Sequence, residues 1–179
     1  MNRPLSFGVQ IILLIALLAL GIASRFLPHP PDATALTAVL FASALYLGPR
    51  LTVALALLLL LWSDAFFGTY ELPVMASVYG SFLLIGGIGV AFARARSLRV
   101  RILTLASASI LFFLITNATV WYFTPWYPKN ASGLMLSYTL GLPFLKNMLI
   151  ADFVYTPALL GALTIAFKFR SVKTPAYAT

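Results

Sequence analysis

The sequence predicts an all-α, polytopic membrane bundle of six transmembrane helices with both termini in the cytoplasm. Its 179 residues are 61% hydrophobic and 9% charged, whereas soluble domains are roughly half apolar and about a quarter charged. Mean hydropathy is +0.98. Long apolar runs recur along the chain, separated by short breaks rich in proline, glycine and basic residues. About 20 apolar residues are needed to cross a hydrocarbon core roughly 30 Å thick, and most runs approach that length. The bilayer is therefore the solvent to reason with, and residues 1–179 read as a single transmembrane domain.

The first helix is expected over residues 5–24. Arg3 and the small residues Gly21-Ile22-Ala23 imitate a cleaved signal peptide. The apolar stretch is too long for a typical signal core, and further spans follow directly, so a retained helix is expected. Pro28, Pro30 and Pro31 then interrupt the helix, because proline has no N–H to donate. A second helix over 33–47 stops at Gly48-Pro49-Arg50, a tight turn. A third follows over 51–67, then a loop over 68–73 and a fourth helix over 74–93. Arg94, Arg96, Arg99 and Arg101 precede the fifth, over 102–123. An aromatic, proline-containing loop leads to residues 134–142, apolar but too short to span. Pro143 is expected to separate that segment from a sixth helix over 146–167.

Charge sets the expected orientation. One set of connections holds nine basic residues: Arg3, Arg50, the four arginines after the fourth helix, and Lys168, Arg170 and Lys173. The other holds three: Arg25, Lys129 and Lys146. The richer side is expected to be cytoplasmic, and Tyr70, Trp121, Tyr122, Trp126 and Tyr127 then fall at the outer interface. The net charge of +8 is distributed as topology determinants rather than as a binding stripe, so no nucleic-acid partner is expected. The chain has no cysteine and one histidine, His29, which excludes thiolate chemistry and His-rich metal sites. No cofactor or metal is expected. Gly86, Gly87 and Gly89 lack the strand and spacing of a phosphate loop and read as helix-packing residues.

Ionisable groups within such runs are functional-site candidates, because an ionised carboxylate in lipid must be paired, hydrated or used. From the 1.5 Å rise per residue, Asp64 is expected roughly 5 Å, Asp152 roughly 9 Å and Asn117 roughly 10 Å below the outer interface. Arg25 and Asp32 close the first hairpin at that side, and Tyr155 follows Asp152 by one turn. Polar groups gathered on one side fit a pocket open to the exterior better than a channel, which needs them along the whole normal. The candidate substrate site is Asp64, Asn117 and Asp152, supported by Arg25 and Tyr155. The rival reading pairs Arg25 with Asp64 and Lys146 with Asp152 purely for packing. No catalytic residues are expected: a nucleophile constellation, a histidine base and the motifs of intramembrane aspartyl proteases are all missing.

Six ordered segments run Arg25-Phe26-Leu27-Pro28-His29-Pro30-Pro31, Trp62-Ser63-Asp64, Phe112-Phe113-Leu114-Ile115-Thr116-Asn117, Trp126-Tyr127-Pro128-Lys129, Leu142-Pro143-Phe144 and Ala151-Asp152-Phe153-Val154-Tyr155. Together they resemble an uncharacterised family of small bacterial integral membrane proteins, over residues 8–165. The chain is also similar, more loosely, to the substrate-binding S components of energy-coupling-factor transporters. That likeness implies six helices, a ligand pocket near the outer face, and an Ala-x-x-x-Ala motif on the first helix that docks a coupling subunit. Ala19 and Ala23 match the spacing of that motif, near the outer end of the helix. A cobalamin-importing relative uses a cysteine, which this chain lacks. The resulting expectation is a substrate-binding transport component of the bacterial cytoplasmic (inner) membrane. It would capture a small polar or vitamin-like molecule from outside, with a coupling membrane subunit and ATPases as partners. A non-transporting structural or assembly protein is the alternative.

Overall fold

Six helices and no strand are formed among the described residues of the computed structural model, which are 5–95 and 97–172, with side chains through Lys168. Arg3, Arg96, Lys173 and the side chain of Arg170, counted above for orientation, lie outside them. The helices are α1 (Phe7–Phe26), α2 (Leu36–Tyr46), α3 (Pro49–Phe67), α4 (Leu72–Arg94), α5 (Leu98–Phe123) and α6 (Ala131–Val172). All except α2 are long and apolar enough to cross a bilayer, so the chain is a multi-pass membrane protein.

The shortest helix forms the centre. At 11 residues, α2 rises about 16 Å, roughly half the hydrocarbon thickness. Leu36 to Ala44 are all buried. A helix apolar on every side has no face to offer water and belongs in a core. Helices α1, α3, α4 and α6 pack around it. Leu17, Leu40, Phe41, Leu55, Leu59 and Ile85 are the large side chains sealed at the middle. Polar contacts on α2 are satisfied locally: Thr52 donates to Ser43 Oγ at 3.0 Å. Residues 33–35, expected as helix, instead belong to the α1–α2 loop.

Helices α1 and α3 run parallel, and their C-terminal ends meet where Phe26 packs on Trp62, Phe66 and Phe67. Gly48 (φ 84°) and Gly68 (φ 90°) bracket α3 in the left-handed region, which ends a helix without a Cβ penalty. Helix α5 runs antiparallel to α6, joined by Ser137 donating to the Asn117 carbonyl at 3.0 Å and Tyr138 to the Leu114 carbonyl at 3.1 Å. The Arg25 end of the bundle thus gathers the C-termini of α1, α3 and α5 with the N-termini of α2, α4 and α6. The Arg94 end gathers the opposite termini.

One expected boundary is absent. Residues 134–142 are not a separate segment but the start of α6, which continues through Pro143 and Pro157 for 42 residues. Each proline removes a single N–H, whereas breaking the chain would free several backbone groups where lipid offers no partner. The bonds from Ser137 and Tyr138 hold this first part of α6 against α5.

Candidate functional site: a cavity at the Arg25 end

The α1–α2 loop is folded inward by specific bonds. The Ala33 N–H donates to the Pro30 carbonyl and the Thr34 N–H to the Asp32 carbonyl, each at 3.0 Å. Asp32 adopts φ 62°, a left-handed conformation that short polar side chains tolerate better than branched ones. Ser24 Oγ accepts from the Ala35 N–H at 3.1 Å, and Asn147 of α6 donates to the Pro31 carbonyl at 3.1 Å. The loop is thereby fastened to α1 and α6, and its side chains help to wall a cavity of about 360 Å³.

Arg25, His29, Asp32, Thr37, Tyr70 and Asp152 supply the polar lining, with Phe67, Phe82 and Phe112 as the aromatic part. That volume and that mixture of aromatic surface with a few polar groups match small-molecule pockets. Asp152 is only 1% exposed. Its Oδ2 accepts from Ser109 Oγ at 2.7 Å, and Thr37 is a second hydroxyl partner. Both partners are neutral hydroxyls, and Lys146 of the packing reading is exposed. The Arg25 guanidinium stands over the Phe67 ring at 5.8 Å from its centroid.

Two of the titratable loop residues respond to this setting. Packing pushes the Asp32 carboxyl above its ordinary value of 3.8, against the opposing pull of Arg25 and then His29. Tyr70 is raised by burial first and by the nearby Asp64 carboxylate second, while Arg25 opposes both. The His29 Nδ1 lies 2.7 Å from the Pro30 carbonyl, which fits a donated N–H and fixes the ring. Among the described residues, no three carboxylate or imidazole groups converge closely enough to hold a metal ion. The lining suits an organic ligand with a cationic group near Asp152 and an anionic or polar group near Arg25.

Of the residues expected at the site, Arg25 and Asp152 line this cavity together. Asp64 is outside its lining, and its Oδ2 accepts from the Tyr79 hydroxyl at 2.8 Å rather than pairing with Arg25. Asn117 lies in a small adjoining pocket that also touches Asp32, and its Nδ2 donates to the Phe113 carbonyl at 2.9 Å. Tyr155 does not share Asp152's wall: it is 41% exposed. Residues three apart differ by about 60° around a helix, enough at the edge of a bundle to turn one inward and the other out. Sequence reasoning missed His29, Thr37 and Ser109, and treated Asp32 only as a hairpin closure. A signal existed for Thr37 and Ser109, two hydroxyls inside apolar runs, but nothing local pairs either with Asp152.

No curated protein and no solved structure matches this chain. A family model described as a family of unknown function (DUF6580) matches residues 6–176, and the chain belongs to that family.

Proposed function

We propose that this protein is a substrate-binding component of a membrane transport system, holding a small polar or vitamin-like molecule in the cavity at the Arg25 end. The observation that carries this reading is Asp152, a carboxyl group 1% exposed, lining a cavity of about 360 Å³ and meeting only hydroxyl partners among the described residues. Burying a charge without a counter-ion is costly, and a cation arriving with the ligand would offset that cost here. Asp152 binds the cationic group, Arg25 takes the anionic or polar end, and the aromatic lining covers the rest. Asp64 and Asn117 support the walls from behind, through Tyr79 and the α5 backbone.

In this reading the Arg25 end faces the outside of a bacterial cytoplasmic membrane, since the opposite end is the more basic. A coupling subunit and ATPases supply the energy. The role is capture rather than catalysis. Thermal unfolding of the detergent-purified protein against a panel of cationic, zwitterionic and neutral vitamin-like molecules tests it. A ligand at 100 times its Kd stabilises the folded state by about 2.7 kcal/mol. A panel with no shift, or a shift that survives Asp152→Asn, refutes the assignment.

A structural or assembly role is the second reading, favoured by the Tyr79–Asp64 bond, which ties α4 to α3 without any ligand. It requires a coupling subunit and ATPases to be absent from mild-detergent pull-downs. It also requires Asp152→Asn to lower stability as much as any function.

A further inference from the structure

A second cavity, of about 280 Å³, lies toward the Arg94 end between α4, α5 and α6, and shares no lining residue with the first. Leu98, Ile102 and Leu105 of α5 and Phe153, Pro157 and Leu160 of α6 make it almost wholly apolar. Thr156 is an exception, with a buried hydroxyl that has no partner among the described residues. Arg101 is the one cation among the described residues of the lining.

We infer that this groove is a binding site for an anionic phospholipid, with an acyl chain along the apolar walls and the headgroup phosphate on Arg101. The guanidinium is pre-positioned by two contacts. It lies over the Phe92 ring at 5.4 Å from the centroid, and its Nε donates to the Ala95 carbonyl at 3.1 Å. A guanidinium fixed in this way offers its planar fork to a phosphate and loses little freedom on binding. Arg94 and Arg99 are exposed at the same end of the bundle and add to the positive field. Leu98 is 71% exposed and Ile102 45% exposed on the flank of the groove, where an acyl chain covers surface that water would not. A soluble anion would use the arginine and leave the apolar wall empty. A zwitterionic lipid brings its own cation into the basic field. A lipid with a net negative headgroup satisfies both halves of the site.

The experiment mixes the full-length protein in detergent with equal amounts of phosphatidylglycerol and phosphatidylcholine of identical chains. Retained lipid is then counted by native mass spectrometry. One arginine near a headgroup corresponds to roughly a five-fold preference, so phosphatidylglycerol is expected to exceed phosphatidylcholine by about that factor. Arg101→Gln brings the ratio close to one, while Arg50→Gln, at the same end but outside the groove, leaves it unchanged. Ile102→Trp fills the groove from an exposed position and lowers retention of both lipids, which keeps the test open if Arg101→Gln folds poorly. Equal retention by the unmodified protein overturns the proposal. So does an Arg50→Gln effect as large as that of Arg101→Gln, or full retention of both lipids by Ile102→Trp.

Discussion

Ser109 donates its hydroxyl to Oδ2 of Asp152 across 2.7 Å, linking α5 to α6 in the wall of the Arg25-end cavity. This bond allows a packing role of Asp152 to be separated from its proposed binding role. In Asp152→Asn the side chain keeps its volume and still accepts from Ser109, and a buried charge disappears. The relieved cost of burying a charge and the weakened bond to Ser109 then oppose each other. The expected unfolding free energy is within about 1 kcal/mol of the unmodified protein, with ligand affinity at least about ten-fold weaker, since hydrogen bonds to charged groups are worth roughly 1.5–3 kcal/mol. Thermal midpoints and a ligand titration check both. A midpoint that collapses in Asp152→Asn assigns the residue to packing.

The second membrane aspartate predicts the opposite pattern. Asp64 accepts from Tyr79 at 2.8 Å and lies outside the cavity lining. Tyr79→Phe deletes the donor and is expected to cost about 1 kcal/mol, the typical net value of one hydrogen bond. A double-mutant cycle with Asp64→Ala, which removes the acceptor, followed by thermal unfolding, should return a coupling of similar size. Ligand affinity is expected to stay within about two-fold in both single variants, since neither residue lines the cavity.

The contrast between these aspartates marks what is legible in a membrane sequence. Apolar length and proline placement located the first five helices to within a few residues, because the bilayer imposes length directly. They failed at Pro143, where α6 continues. A breaker in water is tolerated in lipid when a neighbouring helix, here α5, braces the chain. The rise per residue led to Asp152 and Arg25 being expected at one end of the bundle, and they line one cavity. Rotation about each helix axis was not readable. The helices carry little amphipathic contrast, since lipid and core are equally apolar, so nothing local turned Asp152 inward and Tyr155 outward. The contribution of His29 and Asp32 depended on distant anchors for their loop, Ser24 and Asn147, which no spacing rule connects.

Close approach of α5 and α6 makes Gly141 a sensitive position. A Cβ there would stand 2.5 Å from Asn117 Oδ1 and 2.8 Å from the Phe113 ring. Gly141→Ala normally favours a helix, by up to about 1 kcal/mol. Here overpacking, typically about 1–3 kcal/mol, is expected to outweigh that gain. The predicted outcome is a lowered unfolding midpoint, with Gly161→Ala, which meets no neighbouring atom within 4 Å, neutral or stabilising as the control.

Asp32 gives the stability a pH dependence of known sign. Its carboxyl is raised above 3.8 in the fold, chiefly by burial. A raised value means that the folded state holds the proton more tightly. This contribution is fully present below the unfolded value and is lost as pH rises through the folded one. Asp32→Asn removes the penalty and keeps a residue that tolerates φ 62°. The variant is expected to be more stable than the unmodified protein at neutral pH, by less than about 1 kcal/mol because the side chain retains solvent contact. The difference should vanish below the ordinary carboxylate range. Unfolding curves collected across that range test it, and a gap that widens on acidification contradicts the sign.

Capture from the outside requires the Arg25 end to face the exterior. The chain has no native cysteine, so single introduced thiols report their side without background. Pro28→Cys, exposed in the α1–α2 loop, and Arg99→Cys, exposed at the start of α5, lie at opposite ends of the bundle. A membrane-impermeant maleimide is expected to modify the first in intact cells and the second only after permeabilisation. The physical basis is the excess of basic residues at the Arg94 end, which resist translocation and stay cytoplasmic. The reverse pattern would open the Asp152 cavity to the cytoplasm, and capture from outside would then be untenable. The phospholipid groove does not depend on which side is which, because Arg101, the neighbouring arginines and the apolar walls would hold an anionic lipid in either leaflet.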